Sequence, residues 1–162
     1  MYKISNSIKL AHSKDRVWSL ISLPENLNLF HPFCKKNNLL QSDGEKIIKD
    51  ELIYLNGRTY HRFFYKWDPM NGYQIKIGTK EGKKSDVIWK ISALEKFTKL
   101  TITVTPYLSS KTPKFFYPLF HYFFIKPKLK SYLGSVLKGI KFHLNTEQKV
   151  KANQFGTHPW FS

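Results

Sequence analysis

With one cysteine, Cys34, in 162 residues, the chain has no internal disulfide and no cysteine-built zinc cluster. Acidic residues are also scarce: 11 Asp and Glu stand against 27 Lys and Arg, a formal net charge of +16. The deficit is steepest over residues 111–162, where nine lysines meet a single acid, Glu147. No apolar run approaches the ~20 residues that a membrane-spanning helix needs. The opening Met1-Tyr2-Lys3-Ile4-Ser5-Asn6 lacks the apolar core of a secretory signal. There is no internal repeat. These absences predict a cytoplasmic protein. The charge excess leaves two readings open: attraction to an anionic surface, or a lysine-rich solvated face that keeps the protein soluble.

What is present is a large stock of apolar and flat side chains. Hydrophobic residues make up 41% and aromatics 16%, with 13 Phe, 9 Tyr and 4 Trp. The length suits one domain with a sizeable core, residues 1–162. Such aromatics either fill a bulky core or line a cavity.

Local periodicity sets out the elements. Residues 2–11 alternate, with Ile4, Ile8 and Leu10 on one face, as in a half-buried strand. Ser13 or Asp15 can cap a short helix bearing Val17, Trp18, Leu20 and Ile21, and Pro24 ends it. A second helical turn carries Leu27, Leu29 and Phe30, and His31-Pro32-Phe33-Cys34 returns the chain to an extended path. Strands follow at 35–41, 46–55, 58–67, 73–78, 85–93 and 97–107, with short connections suited to an antiparallel meander. Asn56-Gly57 is the strongest hairpin signal, since both residues tolerate positive φ. Beyond Pro113 the period becomes helical: Leu129, Tyr132, Leu133, Val136, Leu137, Ile140 and Leu144 form one stripe. Gly134 and Gly139 in that helix predict close packing or a bend, and Pro127 a kink or a break.

This order, with the turn His31-Pro32-Phe33-Cys34, Asp50 with Tyr54-Leu55-Asn56-Gly57, Tyr60 with Arg62, Trp67 with Gly72-Tyr73, and Ser85 with Trp89, resembles the START-like (SRPBCC) superfamily. That superfamily includes polyketide cyclase-like proteins and ligand carriers. The tail from Asn153 to Ser162 resembles the ending of an uncharacterised bacterial subgroup. The resemblance implies an α+β helix-grip fold: a curved antiparallel sheet of about seven strands around a long C-terminal helix, with two short helices after the first strand. It also implies a cavity between sheet and helix, and a carrier or sensor of a hydrophobic small molecule or lipid. It carries no established reaction, and no cofactor is expected.

By alternation, the sheet side of such a cavity draws on Tyr54, Phe63, Tyr65, Tyr73, Ile75, Trp89 and Ile102, and the helix side on Tyr132, Leu133, Val136 and Ile140. The alternative is that these side chains meet and fill the space. Tyr54, Tyr65 or His61 would orient a ligand's polar group. Asp50 and His61 are the polar exceptions on the inward faces, and as a proton-transfer pair they would support a cyclase or aromatase-like enzyme. If strand 58–67 is turned over, Arg62 becomes the partner of Asp50 in a bidentate salt bridge. The plain reading of either pair is structural. His31, Cys34 and His158 are ligand types at loose spacing, a weak metal signal; a rigid His-Pro corner at the cavity mouth is the preferred reading, with no metal.

Residues 115–125, Phe-Phe-Tyr-Pro-Leu-Phe-His-Tyr-Phe-Phe-Ile, lie between Lys114 and Lys126. They suit contact with an anionic bilayer interface, a cavity lid, a dimer contact, or ordinary packing. Nucleic acid ranks last as a partner, because the strand aromatics point inward rather than onto a basic face. Residues 149–162 carry Phe155, Trp160 and Phe161 and are expected to dock on the body and plug a cavity opening.

Overall fold

A computed structural model describes residues 2–108, 113 and 115–162. Seven antiparallel strands form one sheet: β1 (Ile4–Leu10), β2 (Cys34–Ser42), β3 (Ile47–Tyr54), β4 (Thr59–Asp68), β5 (Gly72–Gly78), β6 (Ser85–Ala93) and β7 (Thr98–Thr105). Their spatial order is β1-β7-β6-β5-β4-β3-β2, so the six later strands form a meander and β1 closes against the last of them. Helices α1 (Lys14–Ile21) and α2 (Leu27–Phe30) follow β1. Ser13 caps α1, its hydroxyl accepting the Arg16 N–H at 3.2 Å, and Val17, Leu20 and Ile21 are buried.

Helix α3 (Tyr117–Phe120), a π-helical turn (His121–Ile125) and α4 (Lys126–Thr146) run on without interruption. Pro127 has no N–H to give to the turn before it, and the wider turn lies immediately upstream. There the Lys126 N–H reaches back five residues to the His121 carbonyl. The expected break at Pro127 is thus a widened turn. The helical stripe is seated as its spacing predicts: Leu133, Val136, Leu137, Ile140 and Leu144 are buried against the concave sheet face. Gly139 marks close packing, since a Cβ there would lie 2.0 Å from the Phe30 carbonyl oxygen.

The β3–β4 hairpin departs from the expected register, with consequences for the site. Only Gly57 takes positive φ (85°), and its N–H closes a turn onto the Tyr54 carbonyl at 2.9 Å. The loop therefore holds three residues, Leu55, Asn56 and Gly57, with Tyr54 N–H bonded to Arg58 O across it. A two-residue loop would set Leu52 opposite His61. The observed ladder sets Leu52 opposite Tyr60 and Asp50 opposite Arg62. One residue of slip exchanges the faces of β4. Tyr60, Arg62 and Phe64 face the helix, while His61, Phe63 and Tyr65 face away. A second irregularity between Phe64 and Lys66 restores the expected face for Trp67. Trp67 stacks on Tyr73 at 5.7 Å, and Tyr73 on Trp89 at 5.5 Å.

The C-terminal residues lie along the body. Val150 N–H donates to Leu29 O and Asn153 N–H to Pro32 O, each at 2.9 Å. Phe161 is buried against Tyr54, ring centroids 4.3 Å apart, and against Tyr132 at 4.7 Å.

Candidate functional site

Between the concave face and the helix lies a cavity of about 590 Å³, within the size range of small-molecule sites. Its sheet wall includes Leu52, Tyr54, Ile75, Val87, Trp89 and Ile102. Its helix wall includes Tyr117, Ile125, Leu129, Tyr132, Leu133 and Val136. Trp160 and Phe161 border it from the tail, and the exposed Arg58, Thr79, Lys83 and Tyr107 form its rim.

Seven residues expected at the cavity are therefore in its lining: Tyr54, Ile75, Trp89, Ile102, Tyr132, Leu133 and Val136. Four are elsewhere. Phe63 and Tyr65 lie on the convex face, because the three-residue loop turned β4 over. Lys49 and Lys84 sit over the Phe63 ring at 5.0 and 5.5 Å, and Lys76 over Tyr65 at 5.8 Å. Tyr73 is consumed by the stack between Trp67 and Trp89, and Ile140 is closed into the core. Tyr60 and Arg62 take the vacated inward positions; the even-numbered alternation of residues 58–67 carried that signal, but the odd-numbered face is equally aromatic.

Asp50 and His61 do not meet. Asp50 is fully buried and pairs with Arg62 in a bidentate bridge: Nε donates to Oδ1 at 2.7 Å and Nη2 to Oδ2. Burial opposes the guanidinium charge, yet the adjacent carboxylate more than offsets it, and the pKa of Arg62 is raised. His61 lies across the sheet with its Nε2 3.4 Å from Glu51 Oε2. Asp50 is absent from the cavity lining while Arg62 belongs to it. A proton exchange between Asp50 and His61 is excluded by this geometry.

The polar centre of the cavity joins Tyr54 and Tyr132, both expected in its lining, to His31, which periodicity did not indicate. His31 Nδ1 accepts the Phe33 N–H at 3.2 Å, which leaves the ring hydrogen on Nε2, 2.8 Å from Tyr132 Oη. Tyr132 Oη in turn lies 3.1 Å from Tyr54 Oη. Burial, with Arg62 adding to it, lowers the His31 pKa to about 3, so the ring is neutral. Burial raises both tyrosines, so the hydroxyls are protonated. His158-Pro159-Trp160 repeats the corner: its Nδ1 accepts the Trp160 N–H at 3.2 Å and its Nε2 donates to Lys128 O at 3.0 Å. Both imidazoles thus have each nitrogen in a hydrogen bond. Burial pushes the Cys34 thiol up to about 12. The spacing His-Pro-aromatic, present twice in the sequence, was the available sign of these corners.

The aromatic segment contrasts with the cavity. Phe115 is 86% exposed, and Phe116, Leu119, Tyr122, Phe123 and Phe124 are more than half exposed. Lys126 lies over the Tyr122 ring at 5.0 Å. Tyr117, Phe120 and Ile125 belong both to this segment and to the cavity lining, so the exposed ridge is continuous with the cavity. Lys114 lies outside the described residues. Among the described residues, no helix is long and apolar enough to cross a membrane.

A START superfamily protein from Mycobacterium smegmatis superimposes with a TM-score of 0.72 at 14% identity, over 91% of this chain and 100% of that one. The chain has the START-like fold. DynU16, a protein of the dynemicin biosynthetic locus, shares it with a TM-score of 0.66 at 13% identity; the match covers 91% of this chain and 48% of DynU16, about half its length. The Aha1 protein from Colwellia psychrerythraea, a dimer in solution, matches with a TM-score of 0.64 at 11% identity, over 90% of this START-like chain and 98% of its own. No protein-family model matches the sequence, and no curated protein matches it significantly.

Proposed function

We propose that this START-like protein binds a hydrophobic small molecule or lipid inside its cavity, as a carrier or sensor. The observation that carries the reading is a space of about 590 Å³ left open in a core otherwise dense with aromatic rings. A close-packed interior does not leave such a volume to apolar walls without loss of contacts, and a guest restores them. Burial of the guest's apolar surface at about 25 cal/mol per Å² supplies the affinity, less the cost of ordering it. Native mass spectrometry of gently purified protein is expected to reveal a retained mass that denaturation releases. A bare chain that also takes up none of a panel of apolar ligands would count decisively against a carrier.

A second reading rests on the exposed ridge. A soluble surface seldom presents so many contiguous large apolar side chains without a partner. Lys126, Lys128 and Lys130 adjoin it, and the whole chain carries +16. That pairing suits the interface of an anionic bilayer, where aromatics enter the headgroup layer and lysines meet phosphate. Co-sedimentation with vesicles containing anionic lipid is expected at low salt and is weakened at high salt. Absence of pelleting at low salt removes this reading and leaves the cavity reading intact.

A further inference from the structure

The hydrogen-bonded chain at the cavity's polar centre contains more hydrogens than it can use. His31, Tyr132 and Tyr54 bring three: one on Nε2 and one on each hydroxyl. There are two links, His31–Tyr132 at 2.8 Å and Tyr132–Tyr54 at 3.1 Å. The first consumes the imidazole hydrogen, because Nδ1 is already an acceptor for the Phe33 N–H. The second consumes one hydroxyl hydrogen. The other is left over whichever way the tyrosines point, and neither hydroxyl has a further acceptor among the described residues. The direction in which each hydroxyl both accepts and donates puts the spare hydrogen on Tyr54. A buried donor without a partner is costly, and this one borders an open space.

The remaining lining has the same bias. Arg58, Arg62 and Lys83 are in it, and among the described residues no aspartate or glutamate lines it. Arg62 gives two of its N–H groups to Asp50 and holds five in all. Among the described residues, the cavity thus offers hydrogen-bond donors, with unpaired positive charge from Arg58 and Lys83 at its rim, and no carboxylate lines it to receive a cationic or donor-only guest.

We propose that the guest is an apolar molecule ending in an oxygen acceptor, a carboxylate or carbonyl, seated on the spare hydroxyl hydrogen of the His31–Tyr132–Tyr54 chain. This rests on the carrier reading above and adds the polarity of the guest's end. Dodecanoate, methyl dodecanoate and dodecylamine share one apolar body and differ only there. Calorimetric titration of the intact protein is expected to rank dodecanoate tightest, the ester next, and the amine at least about tenfold weaker than the acid, the scale of one buried hydrogen bond plus a charge mismatch.

The variant that tests the chain is His31→Leu/Tyr54→Phe/Tyr132→Phe, since any lesser change leaves a hydroxyl hydrogen or the freed imidazole hydrogen to donate. The triple variant is expected to bind the ester about 2–10-fold more weakly, with thermal melts to establish that it folds. An infrared measurement on the bound ester adds a second readout: its carbonyl band lies lower in the wild-type protein than in the triple variant. Equal binding of acid, ester and amine overturns the acceptor-ended guest while leaving the carrier standing, as does a carbonyl band unmoved by the substitutions. Failure of all three ligands to bind the wild-type protein overturns the acceptor-ended guest, and the carrier falls with it only if native mass spectrometry also finds the chain bare.

Discussion

Two acid–base pairs sit side by side on the β3–β4 ladder and face opposite ways. Asp50–Arg62 points to the helix and is sealed, with side-chain exposures of 0% and 2%. Glu51–His61 points outward, at 24% and 11%, and its closest approach is 3.4 Å. They are one residue apart in sequence and share a hairpin, so local propensity does not separate them. The dielectric around them does. On the outer face Glu51 keeps access to water, and a pair open to solvent is worth little. Inside, either member alone is a desolvated charge, so the two are obligatory partners even though the pair itself need not add net stability.

That contrast can be tested from its strongest arm down. Asp50→Asn leaves the Arg62 guanidinium buried without its counter-charge and is expected to lower unfolding free energy by about 3–5 kcal/mol, read from urea midpoints. Replacing both partners, Asp50→Leu with Arg62→Met, is expected to cost clearly less than the single change, because no lone charge remains.

Arg62 also acts across the cavity on His31. The fold holds the His31 pKa at about 3, below its ordinary value of 6.5, first through burial and then through the Arg62 charge. The unfolded chain therefore takes up the proton first. The contribution is complete above about pH 6.5 and is lost as pH falls toward 3. Between pH 7 and 5 the loss from this one group is about 2 kcal/mol. His31→Gln is expected to flatten that slope in paired denaturation curves. A slope unchanged by the substitution would assign the acid sensitivity to other groups.

The outer pair gives the smaller effects. Glu51→Gln is expected to cost about 0–1 kcal/mol and to lose even that in high salt. Tyr65→Ser, on the same convex face, is expected to fall within about 0.5 kcal/mol of the parent and to leave ligand binding untouched. A large binding defect in Tyr65→Ser would put β4 back on the face that simple alternation suggests.

The legible and illegible parts of this molecule divide along the same line. Ser13 at the start of α1, the stripe from Leu129 to Leu144 and the alternation of Val87 with Trp89 are local signals, and each of these elements forms where they indicate. The lining residues on β5 to β7 were readable for the same reason: their strands carry one apolar face and one polar face. β4 carries aromatics on both faces, so its pattern had two solutions. The choice between them turned on whether Asn56 or only Gly57 would take positive φ. Likewise, no local pattern links His31, Tyr54 and Tyr132, which lie 23 and 78 residues apart in the chain.

The amino-acid sequence by itself determined which segments become strands and helices, their order, and the strongly basic surface, because periodicity, caps and charge act over a few residues. The tertiary structure alone decided which side of β4 meets the helix, which carboxylate is buried with Arg62, and how much space the packed walls leave between them. Those depend on one residue of hairpin register and on the summed volumes of side chains brought together from distant parts of the chain, quantities that no short stretch contains.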